Sequence, residues 1–353
     1  MFDRINRLKN LMYTLKIDSI LIQGKANKKY IGALTGSGVK VFVTKKSIYQ
    51  ILDGRYIDEA KKKTNGFEII DHGGDFYGIL REISESENIK SIGIEGSQSL
   101  ATQYIELIKN FDYIELLKNE LESLRAVKDK EEIEKVKKAC EVTDIIFNKV
   151  IKKIKIGVTE QEIAAEINYT AMKLGASGMS FDTIVASGYR SAMPHGRPTD
   201  KKIECGDSVV LDFGIVLDGY QSDMTRTVFV SNVPDKLKEI YEIVLEAQLK
   251  GISAIKNGAI ACDVDKVARD YIASKGYGEY FNHGLGHGMG MGEGEMPTLN
   301  KASKDILKDG MIMSCEPGIY IPDLGGVRIE DDVVIVDGKG VPLNSTTKKL
   351  LVI

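Results

Sequence analysis

Acids stand inside the apolar strand runs of the C-terminal half of this chain, and any fold it adopts must satisfy them. Asp212 follows Val209, Val210 and Leu211 in the segment LDFG. Asp223 lies in QSDMTRT, His287 in HGLGHGMG, Glu316 in SCEPGIY and Glu330 in VRIEDD. A buried carboxylate needs a partner to offset its desolvation. Four carboxylates gathered at one point repel one another, so that without cations some must protonate or move apart. Two divalent ions offset four negative charges, and such a pair also acidifies a water toward neutral pH. The five side chains therefore read as one dinuclear metal site with hydrolytic chemistry, and the fold must converge on them.

Local patterning supports that convergence. Asp218 and Gly219, flanked by strand-like runs, signal a tight hairpin. With those two residues as the loop, Leu217 pairs with Tyr220 and Gly214 with Asp223. Asp212 is then the diagonal neighbour of Asp223 on one face of the ribbon, about 7–8 Å away across the strands. Taken singly, each acid has a plainer reading. Asp212 or Asp223 alone could serve a turn or a salt bridge. Glu316, before Pro317 and Gly318, could be a turn acid at a strand tip. Glu330 alternates with Arg328 and Asp332, as on a solvated strand face. The set of five together favours metal.

At 353 residues the chain is long for a single core, which predicts two domains. We place the boundary near residue 122, giving an α/β domain over 1–122 and an α+β domain over 123–353. In the first, Ile5, Leu8, Met12 and Leu15 recur at helical spacing. Strands are expected at 19–22, 39–44, 48–52, 67–70, 91–94 and 113–116, with a helix after Arg55. The second opens with charged, amphipathic helices. Ile133, Val136, Cys140 and Phe147 fall on one face, and Thr159 with Glu162 forms a capping box for the next helix. Further helices are expected at 236–252 and 264–274. Strands are expected at 183–186, 208–216, 222–230, 311–314, 327–336 and 350–353. This is a layer of helices over a curved antiparallel sheet.

A net charge of −3 argues against nucleic acid or an anionic membrane as partner. No apolar run is long enough to span a bilayer. The start, MFDRINRLKNL, is charged and unlike a signal peptide, so a cytoplasmic protein is expected. The four cysteines, Cys140, Cys205, Cys262 and Cys315, lack metal-binding spacing and fit reduced thiols.

His283 and His287 lie in the glycine-dense stretch NHGLGHGMGMGEGEMP, read as a loop whose glycines let the backbone approach the metals. It fits neither a dinucleotide nor a phosphate loop, and HExxH and GxSxG are absent. His195 sits in SAMPHGRPT, ahead of the hairpin, where it reads equally well as a turn residue.

The order Asp, Asp, His, Glu, Glu, framed by LDFG, SDMTRT, HGLGHG, EPGIY and VRIED, resembles the pita-bread metallopeptidases, the family of methionine aminopeptidase, aminopeptidase P and prolidase. The resemblance covers the chain from about Arg125 to its end. Asn27 to Tyr30, Thr35 with Gly36, and Leu52 to Tyr56 resemble the N-terminal domain of the prolidase and aminopeptidase P branch. That implies cleavage of the bond between an N-terminal residue and proline. By this resemblance Asp212 holds one ion, His287 and Glu316 the other, and Asp223 and Glu330 bridge both. Glu316 shuttles a proton to the leaving proline nitrogen, while His195 and His283 contact the substrate carbonyl region. Arg328 orients Glu330 or a substrate carboxylate. Manganese is the first choice of metal, with cobalt, zinc and iron as alternatives. The partners implied are a proline-containing peptide and a second copy of the chain. One departure stands out: the family places a histidine seven residues after His287, where this chain has Gly294. That departure keeps open a relative acting on a non-peptide C–N bond, as creatinase and ectoine hydrolase do; a non-catalytic binding homologue on the same fold is a separate alternative.

Overall fold

The computed structural model describes residues 2–292 and 294–353. The chain divides into two compact units, one ending at Arg125 and one running from Ala126 to Ile353. In the first unit a six-stranded sheet has the order 68–71, 48–52, 39–44, 19–22, 91–95, 113–117. Ser19–Ile22 pairs antiparallel with Val39–Thr44 and parallel with Ser91–Glu95. Its interior position explains its composition: Ile20, Leu21 and Ile22 are all buried. Helix Phe76–Glu87 covers one face through Leu80 and Ile83, against Phe42, Ile51, Ile92 and Ile94.

The second unit is built from two helix pairs, each laid on its own sheet. Helices Lys130–Val150 and Glu160–Lys173 both begin with capping boxes, Asp129 with Glu132 and Thr159 with Glu162. Ile146, Phe147, Ile163 and Ile167 bury one face of each helix against Val209, Leu211 and Phe213 of Ser208–Phe213. That strand belongs to a four-stranded sheet with Ile184–Ser187, Met224–Phe229 and Leu351–Val352. Helices Asp235–Ala254 and Ala261–Ser274 bury Ile240, Val244, Ala268 and Ile272 against Met313, Val333 and Ile335. Those residues lie in a five-stranded sheet of Glu295–Leu299, Gly286–Gly288, Ile312–Cys315, Asp331–Val336 and Lys339–Pro342. Pairing in both sheets is antiparallel except where Leu351–Val352 runs parallel to Met224–Phe229.

The hairpin forms in the expected register. Leu217 pairs with Tyr220, and the same register carries on to Asp212 opposite Thr225. Two expected long strands are broken. The run 208–216 stops at Gly214, where a Cβ would overlap the Ser222 carbonyl oxygen. The run 327–336 breaks after Arg328, because Glu330 N–H leaves its own ladder and donates to Thr225 O at 3.1 Å. The stretch read as a glycine loop contains two strands instead, Gly286–Gly288 and Glu295–Leu299. A side chain at Gly286 would overlap the Ser314 carbonyl oxygen. Glycine there admits a neighbouring strand, a close approach between backbones that local periodicity does not register.

Candidate active site

The four- and five-stranded sheets of the second unit present acids to a common cavity of about 920 Å³. Asp212, Asp223, His287, Glu316 and Glu330 all line it, as do His195, His283 and Arg328. Gly294 lines it too, without a side chain.

Asp212 projects from the end of Ser208–Phe213, and Asp223 immediately precedes Met224–Phe229 on the other arm of the hairpin. Glu330 occupies the break between Gly325–Arg328 and Asp331–Val336, pinned by its bond to Thr225 O. One carboxylate oxygen from each of these three residues lies within 4.8 Å of the others. His287 and Glu316 enter from the five-stranded sheet. Ser314 Oγ accepts from His287 N at 3.0 Å and donates to Glu316 Oε1 at 3.0 Å, fixing both. His287 Nε2 stands 3.7 Å from Asp223 Oδ2 and 3.6 Å from Glu316 Oε1. Those separations are too long for hydrogen bonds and suit groups that share a cation.

The electrostatics of the cluster are those of an uncompensated acid centre. Burial pushes the Asp223 carboxyl well above its ordinary range, and the neighbouring Glu330 and Asp212 charges push it further. Burial raises Glu330 likewise, aided by Glu316 and Asp212. Asp212 is raised by burial, with the Arg328 guanidinium acting against the rise. Asp212 Oδ1, Asp223 Oδ1 and Glu330 Oε1 are buried and accept no hydrogen bond. Buried acceptors without donors are costly, and a divalent cation coordinated by oxygen satisfies such atoms. The donor set, four carboxylates and one imidazole, fits hard or borderline divalent metals.

Around the cluster runs a layer of hydrogen bonds that the sequence reading did not assign. Thr225 Oγ1 donates to Glu330 Oε2 at 2.6 Å and accepts from Arg328 Nε at 3.1 Å. Arg328 pairs with Asp212 directly and reaches Glu330 only through Thr225. Asp332 Oδ2 accepts from Asp223 N at 2.8 Å, and burial raises its carboxyl to about 7. Tyr320 Oη accepts from Arg328 Nη1 at 2.8 Å and bonds His283 Nε2 at 2.9 Å. His283 Nδ1 bonds Gly284 O at 2.8 Å, so the ring donates there and accepts from Tyr320. Burial lowers the His283 pKa and favours the neutral ring. His195 stands apart, exposed on its loop at the cavity wall. A sequence signal existed for Thr225, which shares a strand face with Asp223 at a spacing of two. Ser314 offered a like signal, two residues before Glu316, whereas Tyr320 had none, because His283 lies on another element.

Known proteins match this arrangement over the whole chain. Residues 134–337 match the model of metallopeptidase family M24, and residues 4–127 match the creatinase/prolidase N-terminal domain. The Xaa-Pro dipeptidase of Pyrococcus horikoshii is 40% identical, over 99% of this chain and 99% of that protein. The structure of an Xaa-Pro dipeptidase from Bacillus anthracis superposes with a TM-score of 0.96 at 39% identity, covering 100% of this chain and 99% of that one. An X-Pro aminopeptidase from Thermotoga maritima superposes at 0.89 with 36% identity, over 98% and 100%. The architecture is the two-domain pita-bread fold. On the extent of these matches the chain belongs to metallopeptidase family M24, a family of enzymes that work with divalent metal.

Proposed function

We propose that this enzyme hydrolyses the bond between an N-terminal residue and proline. The observation that carries the reading is the convergence of four carboxylates and His287 on one cavity, with three buried carboxylate oxygens lacking donors. Asp212 would hold one ion, His287 and Glu316 a second, and Asp223 and Glu330 would be shared, with manganese the first choice. Bound there, two divalent ions polarise a carbonyl and supply an activated water at neutral pH.

The remaining work falls to side chains. An Xaa-Pro bond has no N–H, and its nitrogen must receive a proton as it leaves. Glu316, whose Oε1 accepts from Ser314 Oγ at 3.0 Å, would take that proton and deliver it. His195 is free to turn toward the substrate carbonyl. His283 reaches it only by giving up its bond to Tyr320. Arg328 holds Asp212 and, through Thr225, Glu330 in their orientations.

The test is hydrolysis of Ala-Pro and Ala-Pro-Ala by protein loaded with manganese, cobalt or zinc. We expect turnover of at least one peptide. Metal binding without hydrolysis of either peptide rejects the reading. Gly294, which leaves the cavity wall bare, favours as second reading a non-peptide C–N substrate such as creatine, to be offered in the same assay.

No helix among the described residues is long and apolar enough to cross a membrane. The reading includes a cytoplasmic homodimer. The four cysteines are unpaired, in keeping with a reducing compartment. A solution mass of twice 38.9 kDa is expected, and a monomer mass contradicts the dimer.

A further inference from the structure

We propose that Arg197 receives the carboxylate of the substrate's proline, that Asp182 is the counter-ion it exchanges, and that the preferred substrates are Xaa-Pro dipeptides. This rests on the peptidase reading above and assigns its selectivity to a pair at the cavity wall.

A dipeptide carries its free carboxylate one residue beyond the bond to be cut. With the four floor carboxylates offset by the two ions, selection for that free carboxylate calls for a further cation at the cavity wall. Two arginines line the cavity. Arg328 is already committed: its side chain is 3% exposed and paired with Asp212. Its Nε bonds Thr225, its Nη1 bonds Pro194 O and Tyr320, and its Nη2 bonds Asp212. Arg197 differs in every respect. Its Nη2 lies 2.6 Å from Asp182 Oδ2, and the two side chains are 77% and 73% exposed. Exposed ion pairs contribute little, so replacing one carboxylate by another costs little. A guanidinium also matches a carboxylate with two parallel hydrogen bonds.

The placement agrees. Pro194 O accepts from Arg328 Nη1 at 3.2 Å, which ties the loop to the residue that holds Asp212. Gly196 N–H donates to Met193 O, so the chain turns there. Arg197 is three residues past Pro194, a backbone distance of at most about 11 Å, and its long side chain covers part of that span. Gln221, Thr298 and Asn300, which also line the cavity, are neutral amides and a hydroxyl and would not select for charge.

The experiment compares Ala-Pro with Ala-Pro-amide on the manganese-loaded enzyme, since the two differ only in charge at that end. We expect wild type to prefer the acid in kcat/KM. Arg197→Met should lower the acid-to-amide ratio about tenfold, through KM for the acid rather than kcat. Arg197→Lys should recover part of the ratio, and Asp182→Asn should raise it. Wild type that cleaves the amide as well as the acid overturns the assignment, and so does an unchanged ratio in Arg197→Met. A general folding defect lowers both substrates alike and leaves the ratio intact, so it cannot mimic the expected result. Wild type that cleaves Ala-Pro-Ala but neither of these substrates overturns this inference alone, whereas failure on all three rejects the peptidase reading and this inference falls with it.

Discussion

Glu316→Gln is expected to lower kcat on Ala-Pro by about 10²–10⁴-fold, with KM changed only severalfold and metal content close to wild type. The substitution preserves size and an amide oxygen that can accept from Ser314 Oγ at the same place. The backbone N–H of Glu316 still donates to Leu285 O, so the turn before Pro317 is undisturbed. What the amide cannot do is take a proton and release it to the proline nitrogen. Metal analysis by mass spectrometry beside steady-state kinetics separates this from loss of the ions. A variant with full metal and a near-native rate removes Glu316 from proton transfer.

Asp223→Asn is expected to act in two opposite directions. If Asp223 is shared by both ions as proposed, activity falls by ~10³-fold or more. The metal-stripped protein, however, becomes more stable at neutral pH. The folded-state pKa of Asp223 is raised, chiefly by burial and then by Glu330 and Asp212. A carboxyl raised on folding binds more protons in the native than in the unfolded state, so native stability falls as pH rises. The loss begins near the unfolded value of about 4 and is complete above the raised folded value. An amide at the same position carries no charge and escapes it. Melting of stripped wild type and stripped Asp223→Asn should therefore diverge between pH 5 and 7.5 and converge toward pH 4. Added manganese should raise the melting temperature of wild type far more than that of the variant. A stripped variant that melts below stripped wild type at pH 7.5 contradicts the account, since it would mean that the charge at Asp223 stabilises the metal-free fold.

Much of this molecule is legible in the chain because its signals are local. Ser19–Ile22, Val39–Thr44 and Ile48–Leu52 are short apolar runs bounded by charged or turn residues, and they are strands over those same residues. The Thr159 and Glu162 box caps its helix because both partners lie within one turn. The Asp218 and Gly219 loop sets a register that places Asp212 opposite Thr225. Acids amid apolar runs were conspicuous for a physical reason: burial without compensation is expensive. What the chain hid depends on distant partners. Gly286–Gly288 is a strand only because Ile312–Cys315 and Glu295–Leu299 flank it, and its glycines carry no periodicity. Tyr320 and Asp332 look like ordinary strand residues until His283 and Asp223 are folded against them.

Calorimetric titration of the metal-stripped protein with manganese at pH 7.5 bears most directly on the account. Two ions per chain are expected, with protons released as the raised carboxyls ionise. Wild-type protein that binds no manganese, although folded and stripped under mild conditions, would contradict a metal centre formed by Asp212, Asp223, His287, Glu316 and Glu330.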